Sequence, residues 1–165
     1  MKTHRLLNLS LFVTLLTTGT ASADPSAVGH YGGSTTGIVL PTLAAFDSTA
    51  RGIIRNLEIV GLQAFSVSTI PGVGTQPAEV RSTNITRRET PQLRLRPNGT
   101  FAGTFVLDDP GRLDFQDAEV RVSGRLSGRR GMITFIITMN KTYEDGSSEV
   151  AGGEVRVPVR LAGRR

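Results

Sequence analysis

The 165-residue sequence predicts an all-β protein, built as a single antiparallel sandwich or barrel. Two patterns carry that expectation. Apolar and polar residues alternate with a period of two along several short segments, so each gains one greasy and one wet face. Glycine-bearing turns recur between those segments, and no run of helical periodicity separates them. Hydrophobic residues make up 38% and charged residues 20% of the chain, enough for a packed core and too apolar for a disordered one. Length and the lack of a linker or repeat argue for one domain.

The clearest alternations lie in the C-terminal half. Val120, Val122 and Leu126 alternate with Arg121, Ser123 and Arg125, and Gly124 falls on the inward phase. Val155, Val157, Val159 and Leu161 alternate with Arg156, Pro158 and Arg160. Leu93 and Leu95 alternate with Arg94 and Arg96. Ile133, Phe135, Ile137 and Met139 hold one phase, with Ile136 on the other, so this strand is expected near the centre of the sheet. Residues 53–67 read as one long strand or two short ones, bent at Gly61. Pro158 lacks an N–H, which places its strand at an edge or turns the proline away from the ladder.

Turn chemistry supplies the connections. Pro97-Asn98-Gly99 predicts a hairpin between Leu93–Arg96 and Thr100–Phe105, because Asn-Gly tolerates positive φ. Gly128–Gly131 predicts a second hairpin and Glu144–Ser148 a third, with Ala151-Gly152-Gly153 just before the last strand. Thr42–Arg51 reads as a turn or short helical piece. Residues 24–30 read as a loose lead-in.

The first 23 residues have the organisation of a cleavable secretory signal. Lys2 and Arg5 make a positive start, Leu6–Leu16 is mostly apolar, and Ala21-Ser22-Ala23 is a small-x-small cleavage site. The apolar run is about half the roughly 20 residues a membrane span needs. The expected product is a secreted or periplasmic domain, 31–165 after the lead-in, with no transmembrane segment. Cleavage lowers the net charge of +5 by two positive residues. Lys141 is then the remaining lysine, and arginine carries the surplus.

Cysteine is absent, which excludes disulfides, thiolate metal sites and a cysteine nucleophile. His30 is the one histidine beyond the leader, with no Gly-x-Ser-x-Gly elbow in the chain, so it reads as a solvated residue and not as a catalyst. The expectation is a non-enzymatic binding or structural module of the cell envelope.

Two clusters compete with that reading. Asp108, Asp109, Asp114, Asp117 and Glu119 gather hard oxygen ligands that could hold Ca²⁺, or carboxylates for a metal-dependent or glycosidase-like hydrolase. Their spacing does not match the Asp-x-Asp-x-Asp-Gly loop, and the plainer reading is a solvated acidic loop. Calcium is the single cofactor they suggest. Arg94, Arg96, Arg121, Arg125, Arg156 and Arg160 lie on wet phases and would bind an envelope polyanion or an acidic protein if their strands are neighbours. No nucleic acid is expected, because those wet phases lack aromatic platforms for base stacking. Asn84, Asn98 and Asn140 begin Asn-x-Thr triplets; the leader is bacterial in style, and Asn98 reads first as a turn residue.

Tyr31-Gly32-Gly33, Ile54-Arg55-Asn56-Leu57, Leu95–Phe101, Val120–Leu126 and Gly131–Phe135 follow one another in an order that resembles small bacterial secreted β-sandwich or barrel proteins of uncharacterised function. The resemblance implies the all-β fold and brings no catalytic residue. Members often carry a cysteine pair, which this chain lacks.

Overall fold

The computed structural model describes residues 27–108 and 115–163. The expected signal segment lies outside them. Ten strands form one antiparallel sheet: β1 (Gly29–Thr35), β2 (Thr42–Ser48), β3 (Ile53–Ile70), β4 (Gly74–Thr75), β5 (Glu79–Ile85), β6 (Leu93–Arg94), β7 (Thr100–Val106), β8 (Glu119–Ser127), β9 (Arg130–Thr142) and β10 (Ser148–Gly163). Their order is β4-β3-β2-β1-β10-β9-β8-β7, with β5 and β6 also on β3. β10 pairs directly with β3 over Ser148–Gly152, below the end of the β1–β2 hairpin.

The sheet curls on itself. Phe46 of β2 stacks on Tyr31 at 5.3 Å and meets Phe101 of β7 at 5.9 Å, although β2 and β7 stand far apart in strand order. β6 lies against β7 as well as β3. Arg96 N–H donates to Thr100 C=O at 2.7 Å, and a Cβ on Gly103 would strike Leu93. The two ends of the sheet are thus joined, and the inward phases fill a single core. Val120, Val122, Ile133, Phe135, Ile137, Val157 and Val159 are all buried there, as the alternation requires. Each contributes about 1.5–3 kcal/mol by burial. Ile136 is half-buried on the outer face of β9, which sits between β8 and β10.

Several local expectations change. Thr42–Ser48 is a strand, not a turn or helical piece. Leu-Ala-Ala favours helix locally, but Thr42, Ala44, Phe46 and Ser48 alternate inward, and packing of Phe46 on Tyr31 and Phe101 outweighs propensity. The lead-in is shorter than expected: Ala27 is buried and β1 begins at Gly29. β10 is interior, so Pro158 is not at an edge. Its carbonyl points toward Gly33, so its nitrogen faces the interval between the β3-paired and β1-paired parts of β10, where no ladder donor is needed. Ala151–Gly153 lies inside β10. A Cβ on Gly153 would stand 2.4 Å from the Gln63 carbonyl, so glycine permits the close crossing of β10 over β3. β3 is one strand with Gly61 at φ 72, where its register with β5 shifts.

The turns share one chemistry. Gly99 N–H donates to Arg96 C=O, closing a three-residue loop with Gly99 at φ 78, and Asn98 Oδ1 accepts from Thr100 N–H at 3.1 Å. β6 keeps its regular ladder with β3, so the expected hairpin is reduced to this turn and the side-by-side contact beyond it. Tyr143–Ser147 repeats the geometry, with Gly146 at φ 81 and Asp145 Oδ1 accepting from Ser147 N–H at 2.9 Å. Both are three-residue loops completed by a left-handed glycine. Gly128-Arg129 links β8 and β9, with Ser127 opposite Arg130.

Candidate functional site

Strand direction sorts charge between the two ends of the curled sheet. The β2–β3, β6–β7 and β8–β9 turns all emerge at one rim, with the start of β1 and the end of β10. This rim carries Arg51, Arg55, Arg94, Arg96, Arg125, Arg129, Arg130 and Arg160, all exposed. Among the described residues its carboxylates are few: Glu58, level with Arg160 across β3, β2, β1 and β10, stands 3.9 Å from Arg87, and Asp47 lies opposite Arg55. The Asp47 carboxylate accepts from His30 Nδ1 at 2.9 Å and from Asn56 Nδ2 at 2.8 Å. The opposite rim carries Asp108, Asp117, Glu119, Glu144, Asp145 and Glu149 against Arg81, Arg121 and Lys141.

The arginines expected to share a face divide into two groups. Arg121 bonds Glu119 at 2.6 Å and Arg156 bonds Glu154 at 2.8 Å, each carboxylate two residues earlier on the same strand face. These are exposed surface pairs, worth about 0–1 kcal/mol. Arg125, Arg130 and Arg160 make no ion pair with a described residue. Arg130 stands directly opposite Arg160 across β9 and β10, and Arg125 is opposite Met132, the next outward residue after Arg130. Arg96 and Arg125 both line a shallow groove of about 530 Å³, with the hydroxyls of Thr100, Ser123 and Thr134 along it. Arg94 lies on β6 beside Ile53, outside that groove.

Reading strand faces alone misses Arg129 and Arg130 at the β8–β9 turn and Arg51 and Arg55 at the β2–β3 turn. The signal that could have found them is the turn itself: Arg51 precedes Gly52, and Arg129-Arg130 lies between Gly128 and Gly131. Tyr31 anchors the β8–β9 turn from below. Its hydroxyl donates to the Gly128 carbonyl at 2.6 Å, so a buried aromatic holds the arginine-bearing loop in place.

Of the acidic candidates, Asp108, Asp117 and Glu119 fall among the described residues. Asp109 and Asp114 lie outside the described residues. Asp117 bonds Lys141 at 2.8 Å, which holds the ammonium above its ordinary range, and Glu119 is taken by Arg121. Asp108 is exposed. Among the described residues, no three carboxylate or imidazole groups come together as metal ligands. The loop base is fixed by its backbone: Asp117 N–H donates to Leu107 C=O, and Phe115 and Asp117 take positive φ.

The inward phase of β10 holds a carboxylate that the sequence reading passed over. Glu149 is buried and accepts from Ser66 Oγ at 2.5 Å, Arg81 Nη1 at 2.8 Å and Tyr143 Oη at 2.9 Å. Burial, and then the bond to Glu149, raises the Tyr143 phenol above its ordinary value. Both oxygens of Glu149 are occupied, so the cluster ties β3, β5, β10 and the β9–β10 turn together. Its place on the alternation, two residues before Ala151, was the available clue.

His30 is paired with Asp47 instead of simply solvated, and among the described residues no serine completes a triad with them. Ser48 adjoins Asp47 in sequence, and strand alternation sends it to the opposite face. No helix among the described residues is long and apolar enough to cross a membrane.

No protein-family model, curated protein or solved structure matches this chain.

Proposed function

We propose that this chain is a non-enzymatic binding module, exported to the periplasm or beyond, whose arginine rim docks onto anionic polymer of the cell envelope. The observation that carries the reading is the contrast along one sheet face. Arg121 and Arg156 have carboxylate partners on their own strands, whereas Arg125, Arg130 and Arg160 have none among the described residues, and two of them face each other. Guanidinium groups are weakly hydrated forks suited to phosphate and sulfate oxygens. A one-signed rim also raises the local concentration of a polyanion and its rate of arrival. The hydroxyls of Thr100, Ser123 and Thr134 add neutral hydrogen-bonding groups beside Arg96 and Arg125, as a sugar-containing polymer would use.

Heparin chromatography of the mature chain tests this reading. Wild type should elute well above physiological ionic strength, about 0.15 M. Joint replacement of Arg125, Arg130 and Arg160 by Gln should bring elution to about that value and flatten the log–log salt dependence by roughly 2–3, near 0.7–0.9 for each lost contact. Joint replacement of Arg121 and Arg156 should leave most retention intact. Equal losses from both sets would overturn the assignment to the rim.

A further inference from the structure

We infer that the β2–β3 corner of the same rim contains a seat for a single phosphate monoester group; this rests on the polyanion reading and names the end group that it recognises. Two adjoining cavities open there. The outer lobe, about 410 Å³, is lined by Thr49, Ala50, Arg51, Ile53, Arg55 and Gln92. The inner lobe, about 220 Å³, shares Thr49, Ala50 and Arg55 and continues to Gly29 and Ser48. Arg55 therefore borders both.

The chemistry of the outer lobe is one-signed. Arg51 and Arg55 bring two guanidinium groups, neither ion-paired to a described residue, and Thr49 and Gln92 bring neutral hydrogen-bonding groups. No described carboxylate lines it; Asp47 stands opposite Arg55 across β2 and β3, on the inner-lobe side. Two fixed positive charges match a phosphate monoester, which carries about −1.5 to −2 near pH 7. Asp47 borders the inner lobe, where its oxygens already accept from His30 and Asn56, so an anion belongs in the outer one.

Ser48 lines the inner lobe at 3% exposure, and its hydroxyl has no hydrogen-bond partner among the described residues. The hydroxyl is solvent-inaccessible and turned to the face opposite Asp47, so it belongs to the core side of the turn and not to the anion seat. The turn that forms the cavity is itself fixed: Thr49 C=O accepts from Gly52 N–H at 2.9 Å, and Thr49 Oγ1 accepts from Ile53 N–H at 3.1 Å. The two arginines thus project from a closed loop and not from a wandering one.

The test uses inorganic phosphate as the probe, followed by ¹⁵N-resolved NMR of the mature chain at constant ionic strength made up with chloride. Saturable shifts are expected at Gly29, Ser48–Ile53 and Gln92. Arg51→Gln and Arg55→Gln should each weaken binding about tenfold or more. Arg55→Lys should weaken it too, because it keeps the charge and loses the fork. Both arginines are exposed, and unchanged dispersion elsewhere in the spectrum shows that the variants fold. Vesicles of phosphatidic acid against phosphatidylglycerol separate the sources: preference for the monoester lipid that depends on Arg55 assigns the seat to a membrane headgroup, and shifts with phosphate alone assign it to a soluble or polymer-borne group. Absence of saturable shifts, or shifts that survive in both Gln variants, would overturn the inference. Heparin retention is the independent readout: Arg55→Gln should keep most of it, and the Arg125/Arg130/Arg160 triple variant should lose it while keeping the phosphate shifts.

Discussion

Removing the Glu149 carboxylate should destabilise the fold by an amount that its partners set. Glu149→Ala strips one acceptor from Ser66, Arg81 and Tyr143 at once. Breaking a fully buried ion pair costs about 3–5 kcal/mol. Here the Arg81 side chain is 34% exposed, and Tyr143 is exposed too, so both regain water when the carboxylate leaves. Ser66, at 3% exposure, does not. The expected loss is therefore below the fully buried case, about 2–3 kcal/mol, or a Tm lower by roughly 5–10 °C at about 2–4 °C per kcal/mol. Glu149→Gln keeps the shape and one acceptor and should lose about half as much. Urea unfolding followed by far-ultraviolet dichroism reads the change, with an unaltered slope showing that the unfolded state is the same. A double-mutant cycle with Arg81→Met should return a coupling of about 1 kcal/mol or more. An alanine variant within about 0.5 kcal/mol of wild type, the range of ordinary surface changes, would refute the reasoning.

Three other outcomes can be checked with the same stability assay. Arg160→Glu places a carboxylate directly opposite Arg130 and should stabilise the chain by about 0.5 kcal/mol while lowering heparin retention, a rise in Tm opposed to a fall in elution salt. Ser48→Ala removes the unpartnered buried hydroxyl and should be neutral or stabilising by up to about 1 kcal/mol without phosphate, by thermal melting. The Tyr143 phenol is raised above its ordinary 10.0 by burial and the Glu149 bond, so its neutral form belongs to the folded state. Its contribution is full below pH 10 and falls as pH rises through the higher folded value; a Tm–pH profile should show this alkaline limb, and Tyr143→Phe should lose it.

The fold was legible wherever one face of a strand is greasy and the other charged. Val120–Leu126 and Val155–Leu161 are such segments, and both lie inward as their alternation states. Asn98-Gly99 and Asp145-Gly146 marked real turns because few residues other than glycine take φ near 80°. Thr42–Ser48 was illegible because Leu, Ala and Ala have weak strand preference, and its state is settled by Tyr31 and Phe101, partners distant in sequence. Gly152-Gly153 read as a break for a related reason: the need for glycine arises from β3 crossing at Gln63 and Ala64, a contact with no local signature. At the rim, strand phase found Arg125 and Arg160 but could not show which arginines carry carboxylate partners. That depends on register and on Glu119 and Glu154 sharing a face with Arg121 and Arg156.

The charge of the rim is independent of what its turns require to fold. Arg96–Thr100 and Tyr143–Ser147 make the same loop: the same two backbone bonds, the same glycine position, and an Asn or Asp oxygen closing on the residue after that glycine. The first stands at the basic rim, with Arg96 at its start. The second stands at the opposite rim and carries Glu144 and Asp145. One backbone geometry thus tolerates either sign of charge. The outward neighbours of Arg125 on β8 are Ser123 and Ser127, and those of Arg130 and Arg160 include Met132 and Pro158. All of these positions are exposed, where a carboxylate would fit as well as Glu119 and Glu154 do farther along the same strands. Opposing Arg130 and Arg160 costs about 0.2–1 kcal/mol against a neutral pair. Neither turn formation nor core packing accounts for that cost, whereas an anion bound at the rim, as proposed, would remove it.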